Sequence, residues 1–190
     1  MKKLVYILPT NLDHPGITHK VNGQLDALNA SFSARLVYFP YHSSDFFIIK
    51  YSQLLTFYIR VIITSLFSNS LYVRYNAKLV LLNFFFAILA YFKPVFLEYG
   101  SKFDHELKIL NRPIERFFHR LSLRLFGISR IIHATVTDDI QTELTSFGIQ
   151  SKYCITLQNG FKMPEINHIM INVIICHKKK NSFCSSVFKT

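Results

Sequence analysis

The sequence predicts an α/β protein built on a doubly wound parallel sheet of about six strands. Three observations point there. Short apolar runs of strand length alternate six times with stretches of helical periodicity. The first run, "LVYILP" (Leu4–Pro9), leads into a polar loop and helix, "NLDHPGITHKVNGQLDAL", that carries the chain's first glycine, Gly16. Half of the 190 residues are apolar, with 19 Phe and 10 Tyr, enough to fill the core of one domain.

The elements follow in order. After the strand Leu4–Pro9, Ile17, Val21, Leu25, Leu28 and Phe32 mark one helical face at steps of four, four, three and four. "ARLVYFP" (Ala34–Pro40) is a second strand and Phe46–Phe67 a long helix. "LYVRY" (Leu71–Tyr75) is a third strand, and Leu79–Phe92 a helix stopped by Pro94. "VFLEYG" (Val95–Gly100) is a fourth strand, followed by a polar loop that includes "FDHE" (Phe103–Glu106). Ile114–Phe126 forms a basic amphipathic helix with Gly127 placed to cap it. "RIIHATV" (Arg130–Val136) is a fifth strand, Thr137 or Asp138 can N-cap a helix ending before Gly148, and "YCITLQNG" (Tyr153–Gly160) is a sixth strand. Such repeated units imply a parallel, Rossmann-like sheet covered by helices on both faces. The domain is expected to span residues 1–162. Residues 163–190, where three lysines follow an apolar stretch and no acid follows Glu165, read as an irregular tail or as a prematurely ended chain.

Composition narrows the function classes. Lys and Arg outnumber Asp and Glu by 22 to 11, and the net charge of +11 favours anionic partners. Cys154, Cys176 and Cys184 are odd in number and form no CxxC pair, which suits reduced thiols in the cytoplasm. The first apolar run is too short for a signal peptide. Phe46–Phe67 is interrupted by Lys50, Gln53 and Arg60, and Leu79–Phe92 falls short of a bilayer's thickness, so both read as buried helices. Their aromatic content and basic flanks also suit peripheral contact with an anionic leaflet, such as the inner face of the cell membrane.

In an open parallel sheet, ligands bind beyond the carboxyl ends of the strands. Gly16, His14 and His19 follow the first strand, Arg74 ends the third, Glu98 ends the fourth and Asn159-Gly160 ends the sixth. With the second strand on one side of the first, and the third and fourth on the other, Gly16, Arg74 and Glu98 are expected to share a crevice. Gly16 lets backbone approach a ligand, or is an ordinary turn glycine. Arg74 pairs with Glu98, meets a ligand, or both. His19 and His14 serve a substrate or are solvated. "FDHE" lacks a second cluster at ligand spacing, so no metal is expected. GxGxxG, P-loop, HExxH and GxSxG are absent, and the basic residues form no nucleic-acid recognition motif.

The order of "HPGITHKVNGQLDAL", "LYVRY", "PVFLEYG", "SRIIHATVTDDIQTELTSFGI" and "ITLQNGFK" resembles the N-terminal half of GT-B glycosyltransferases of family 4, over about Lys2–Lys162. The resemblance implies an acceptor-holding, Rossmann-like domain and a partner domain that binds a nucleotide-sugar donor, with retention of configuration and no metal or other cofactor. By it, Gly16 and His19 with their loop, Arg74 and Glu98 line the cleft, Thr137 replaces a serine that opens a helix, and Asn159-Gly160 begins the linker. The acceptor would be a surface polysaccharide or a lipid-linked sugar. Residues after Lys162 do not resemble the donor half, so a separate donor domain is an expected partner and the chain alone is expected to transfer no sugar. Two alternatives stand beside this reading. One is a non-catalytic module that binds a lipid-linked or phosphorylated sugar at the membrane; the other is a small response-type or nucleotide-binding α/β protein.

Overall fold

The structure, a computed structural model, describes residues 2–10, 12, 15–39 and 47–156. Its strands are β1 (Lys3–Leu8), β2 (Ser33–Tyr38), β3 (Ser70–Arg74), β4 (Val95–Tyr99), β5 (Ile132–Thr135) and β6 (Cys154–Thr156). The helices are α1 (Pro15–Asn29), α2 (Phe47–Leu66), α3 (Val80–Leu89), α4 (Phe103–Ile109), α5 (Pro113–Ile128) and α6 (Asp138–Ser146). The strands form one parallel sheet in the order β2-β1-β3-β4-β5-β6, the Rossmann-like doubly wound α/β class that the sequence predicts. Two compact units divide the chain, Met1–Arg74 and Tyr75–Thr190.

In the first unit β1 lies between β2 and β3, so Tyr6 opposes both Leu36 and Tyr72. That central place explains an unbroken apolar run: Leu4 to Leu8 are all buried. β2 pairs on one side in this unit and buries only Val37 fully. α1 packs on β2 and presents Val21, Gln24 and Leu28 as its buried face. α2 buries Phe57, Val61 and Ser65, one turn apart, and leaves Ile48, Leu55, Ile59 and Ile63 exposed. Its apolar residues therefore exceed what the described residues cover.

In the second unit β4, β5 and β6 pair in parallel, with Glu98 opposite Ala134 and Thr135 opposite Thr156. α5 packs on α3 and α4, and α6 on β5 and β6. His119, Ser122, Leu123 and Phe126 form the buried face of α5, at steps of three, one and three.

Two details differ from the sequence reading. "FDHE" opens helix α4 rather than lying in a loop. Gly127 does not cap α5 but lies inside it, because α5 runs on to Ile128. A Cβ there would come within 3.2 Å of the Gly148 carbonyl oxygen, so Gly127 permits a close approach of α5 to the turn after α6. That turn is made by Gly148 at φ 91°, with Ile149 N donating back to Leu144 O at 3.3 Å.

Candidate functional site

The carboxyl ends of β1 and β3 belong to the first unit. After Leu8 the chain loops to α1, in which Gly16 is the second residue and His19 is exposed. The Thr18 hydroxyl donates to the Leu12 carbonyl, tying the loop to the first turn of the helix. Among the described residues that turn itself carries no acid, and its amides lie at the helix N-terminus, where the macrodipole favours an anion. Tyr6 Oη donates to Gln24 Oε1 at 2.7 Å and meets Tyr72 edge-on at 5.1 Å between ring centres, which fixes α1 against β1 and β3. Arg74 is the last residue of β3 and is half-buried. Asn11, Asp13 and His14 lie outside the described residues.

The ends of β4 and β5 belong to the second unit. Glu98, one residue from the end of β4, is buried, and its carbonyl accepts from Tyr75 N at 2.8 Å. Thr137 is the N-cap of α6, its Oγ1 accepting from Ile140 N at 3.4 Å, and Asp138 and Asp139 follow in the first turn. Lys102 closes on Asp139 at 2.9 Å. Each unit thus gathers its own predicted residues at strand ends: Gly16, His19 and Arg74 in the first, Glu98 and Thr137 in the second. Asn159 and Gly160 lie outside the described residues, as do Cys176 and Cys184.

Beside these ends the second unit contains a polar-aromatic cluster that sequence reasoning missed. Tyr75 and Tyr99 stack with ring centres 4.7 Å apart. Each shares a hydrogen bond with a histidine, Tyr75 Oη with His119 Nδ1 at 2.7 Å and Tyr99 Oη with His133 Nδ1 at 3.1 Å. Burial drives both imidazoles toward the neutral form. His119 is lowered to about 4, where Asp104 opposes the shift and Arg120 and Arg116 add to it, and His133 is lowered to about 3. Burial pushes both phenols up, and Tyr75 and Cys154 further raise Tyr99. The two tyrosines and two histidines thus form a buried, hydrogen-bonded network in which burial favours the neutral form of every member.

The acid of "FDHE" has a different use. Asp104 Oδ1 accepts from Arg116 Nε at 3.0 Å and Arg120 Nε at 2.7 Å, while Oδ2 accepts from their Nη2 atoms at 2.8 and 3.0 Å. Burial works against the charge, but the bonds from Arg120 and Arg116 outweigh it and hold the carboxyl well below the usual range. Glu143 Oε1 accepts from Asp104 N at 2.9 Å at the start of α4. Four donors occupy the Asp104 carboxylate, and among the described residues no group of three or more His, Cys, Asp or Glu is arranged to hold a metal ion. The hint in the sequence was the spacing of Arg116 and Arg120, one turn apart on α5.

No protein-family model matches the chain, and no curated protein or solved structure matches it.

Proposed function

We propose that the chain is the acceptor-binding half of a family 4-like GT-B glycosyltransferase, holding a lipid-linked or surface-polysaccharide sugar to which a donor-binding partner domain adds a residue from a nucleotide-sugar. One observation carries the reading. Gly16, Arg74, Glu98 and Thr137, each singled out by motif order, all fall at or just beyond the carboxyl ends of strands in a parallel sheet, where such folds bind ligands.

In this reading the first turn of α1 and Arg74 hold an anionic or hydroxyl-rich acceptor. The amides at Gly16 approach it without a side chain between, Arg74 supplies a forked donor, and exposed His19 adds a hydrogen bond. In the second unit Glu98 and Thr137 offer a buried carboxylate and the start of α6 at the ends of its own strands. No metal or other cofactor is assigned.

The test is calorimetric titration of the chain with a polyprenyl-phosphate-linked sugar in detergent and, separately, with a free nucleoside diphosphate. Binding of the lipid-linked sugar, weakened about tenfold or more by Arg74→Ala, is the expected result, a charged hydrogen bond being worth about 1.5–3 kcal/mol. Tight nucleotide binding without acceptor binding would overturn it.

A further inference from the structure

The second unit exposes an apolar corner that no part of the described fold covers. Tyr91 Oη, in the turn after α3, donates to the Ile128 carbonyl at the end of α5 with a length of 3.0 Å. This bond joins the ends of two helices that already pack together. Around it Ile88, Tyr91, Phe92 and Ile128 are 60%, 52%, 76% and 72% exposed. The exposed stripe continues along α5 through Phe118, Phe117 and Ile114, and along α3 to Leu81.

Charge around the corner has one sign. Residues 79–97 and 116–137 contain no Asp or Glu and carry Lys93, Arg116, Arg120, Arg124 and Arg130, while Glu115, beside Ile114 at the far end of the stripe, is paired with Arg112 at 3.1 Å. Arg116 and Arg120 are engaged by Asp104. Arg124 and Arg130 are exposed, one turn before Ile128 and two residues after it, and half-buried Lys93 directly follows Phe92.

We propose that this α3–α5 corner docks on an anionic lipid bilayer, with Phe92, Tyr91 and Ile128 entering the headgroup boundary while Arg124 and Arg130 meet lipid phosphates. Large apolar and aromatic side chains ringed by cations suit such an interface, because long basic side chains keep their heads in the phosphate layer while their stems lie along the apolar surface. A second copy of the chain fits poorly. A two-fold contact would bring the same cations together, and neither stretch supplies a carboxylate to pair with them. Nucleic acid fits poorly too, since the centre of the corner offers its phosphates only hydrocarbon. The inference deepens the membrane-linked acceptor reading, but it stands on this corner alone.

The test is flotation of the full chain with phosphatidylcholine vesicles, with and without phosphatidylglycerol. These vesicles carry no sugar, so their binding is independent of any acceptor. The chain is expected to float only with the anionic vesicles and to be released by high salt. Two double variants, Phe92→Ser with Ile128→Ser and Arg124→Gln with Arg130→Gln, are each expected to weaken partitioning about tenfold or more. Circular dichroism identical to the parent shows that each is folded. Ile48→Ser with Leu55→Ser on the exposed face of α2 is expected to leave binding unchanged. Failure to float, equal flotation with neutral vesicles, a concentration-dependent dimer lost in the Phe92/Ile128 variant, or loss of binding in the α2 variant alone would overturn the proposal.

Discussion

At the scale of single residues, the buried histidines set how the protein responds to acid. His119 and His133 are held neutral in the fold, at about 4 and about 3, against an ordinary value of 6.5. Because the folded values are the lower ones, the unfolded chain takes up protons first as pH falls. Their stabilisation is complete above about pH 6.5 and is lost as pH drops toward 4, by up to about 1.4 kcal/mol per pH unit for each histidine. Glu143, raised by burial, works with the opposite sign. The Asp104 carboxyl, held low by its arginines, adds its own loss only below the usual carboxylate range. Urea denaturation at pH 7.5, 6 and 5 is therefore expected to show a steep fall in midpoint, flattened in a His119→Gln, His133→Gln variant. An identical slope in that variant would rule the histidines out. None of this was legible in the sequence. Tyr75 and His119 are 44 residues apart and Tyr99 and His133 34 apart, so nothing local couples them.

At the scale of elements, α4 is the informative case. Seven residues are too few for a helix to persist alone, and "FDHELKI" follows Phe103 with three polar residues in a row and offers only the Phe103–Leu107 pair at helical spacing. Its stability comes largely from residues far along the chain: the packing of Leu107 and α5, the Arg116 and Arg120 forks on Asp104, and the Glu143 carboxylate on Asp104 N. A local reading therefore sees only a polar loop. Asp104→Ala is expected to destabilise the protein by about 2 kcal/mol, a buried-pair loss reduced because Arg120 is partly exposed to solvent, and to speed amide hydrogen exchange in α4 more than in α6. Uniform acceleration in both helices would contradict the clamp. Gly127 teaches a similar lesson. A glycine near the end of a helical pattern reads as a cap, but here the constraint is the Gly148 carbonyl on the following helix-turn.

At the scale of the whole molecule, the parallel sheet was legible because its evidence is local and repeated. β1, β3 and β4 are short apolar runs separated by helical periods, and their burial on both faces follows from being central strands. The strand-end positions of Gly16, Arg74 and Glu98 were legible for the same reason, since position follows from strand order, whereas Thr137 was singled out by the family resemblance. Less legible was how much apolar surface the described residues leave uncovered: Leu55, Ile63 and Phe67 near α2, and Phe92, Phe117 and Ile128 in the second unit. With a net charge of +11, mutual repulsion is expected to keep such surfaces apart at low salt. Static light scattering is expected to rise as sodium chloride goes from low to near-molar, where screening shortens to a few ångströms, about 3 Å at 1 M. Scattering independent of salt would mean that these faces do not drive association.

The stacked tyrosines give this chain an internal reporter. It contains no tryptophan, so its near-ultraviolet spectrum comes from tyrosine and phenylalanine alone. Tyr75 and Tyr99, 4.7 Å apart and tilted by 28°, are an immobilised, coupled pair of chromophores in the second unit. Circular dichroism near 280 nm, a wavelength on the order of any tyrosine band, follows the packing of that unit without a label. Burial pushes both phenols above the ordinary tyrosine value, so in an alkaline titration followed by tyrosinate absorbance their ionisation is expected to accompany loss of the near-ultraviolet signal as the core opens.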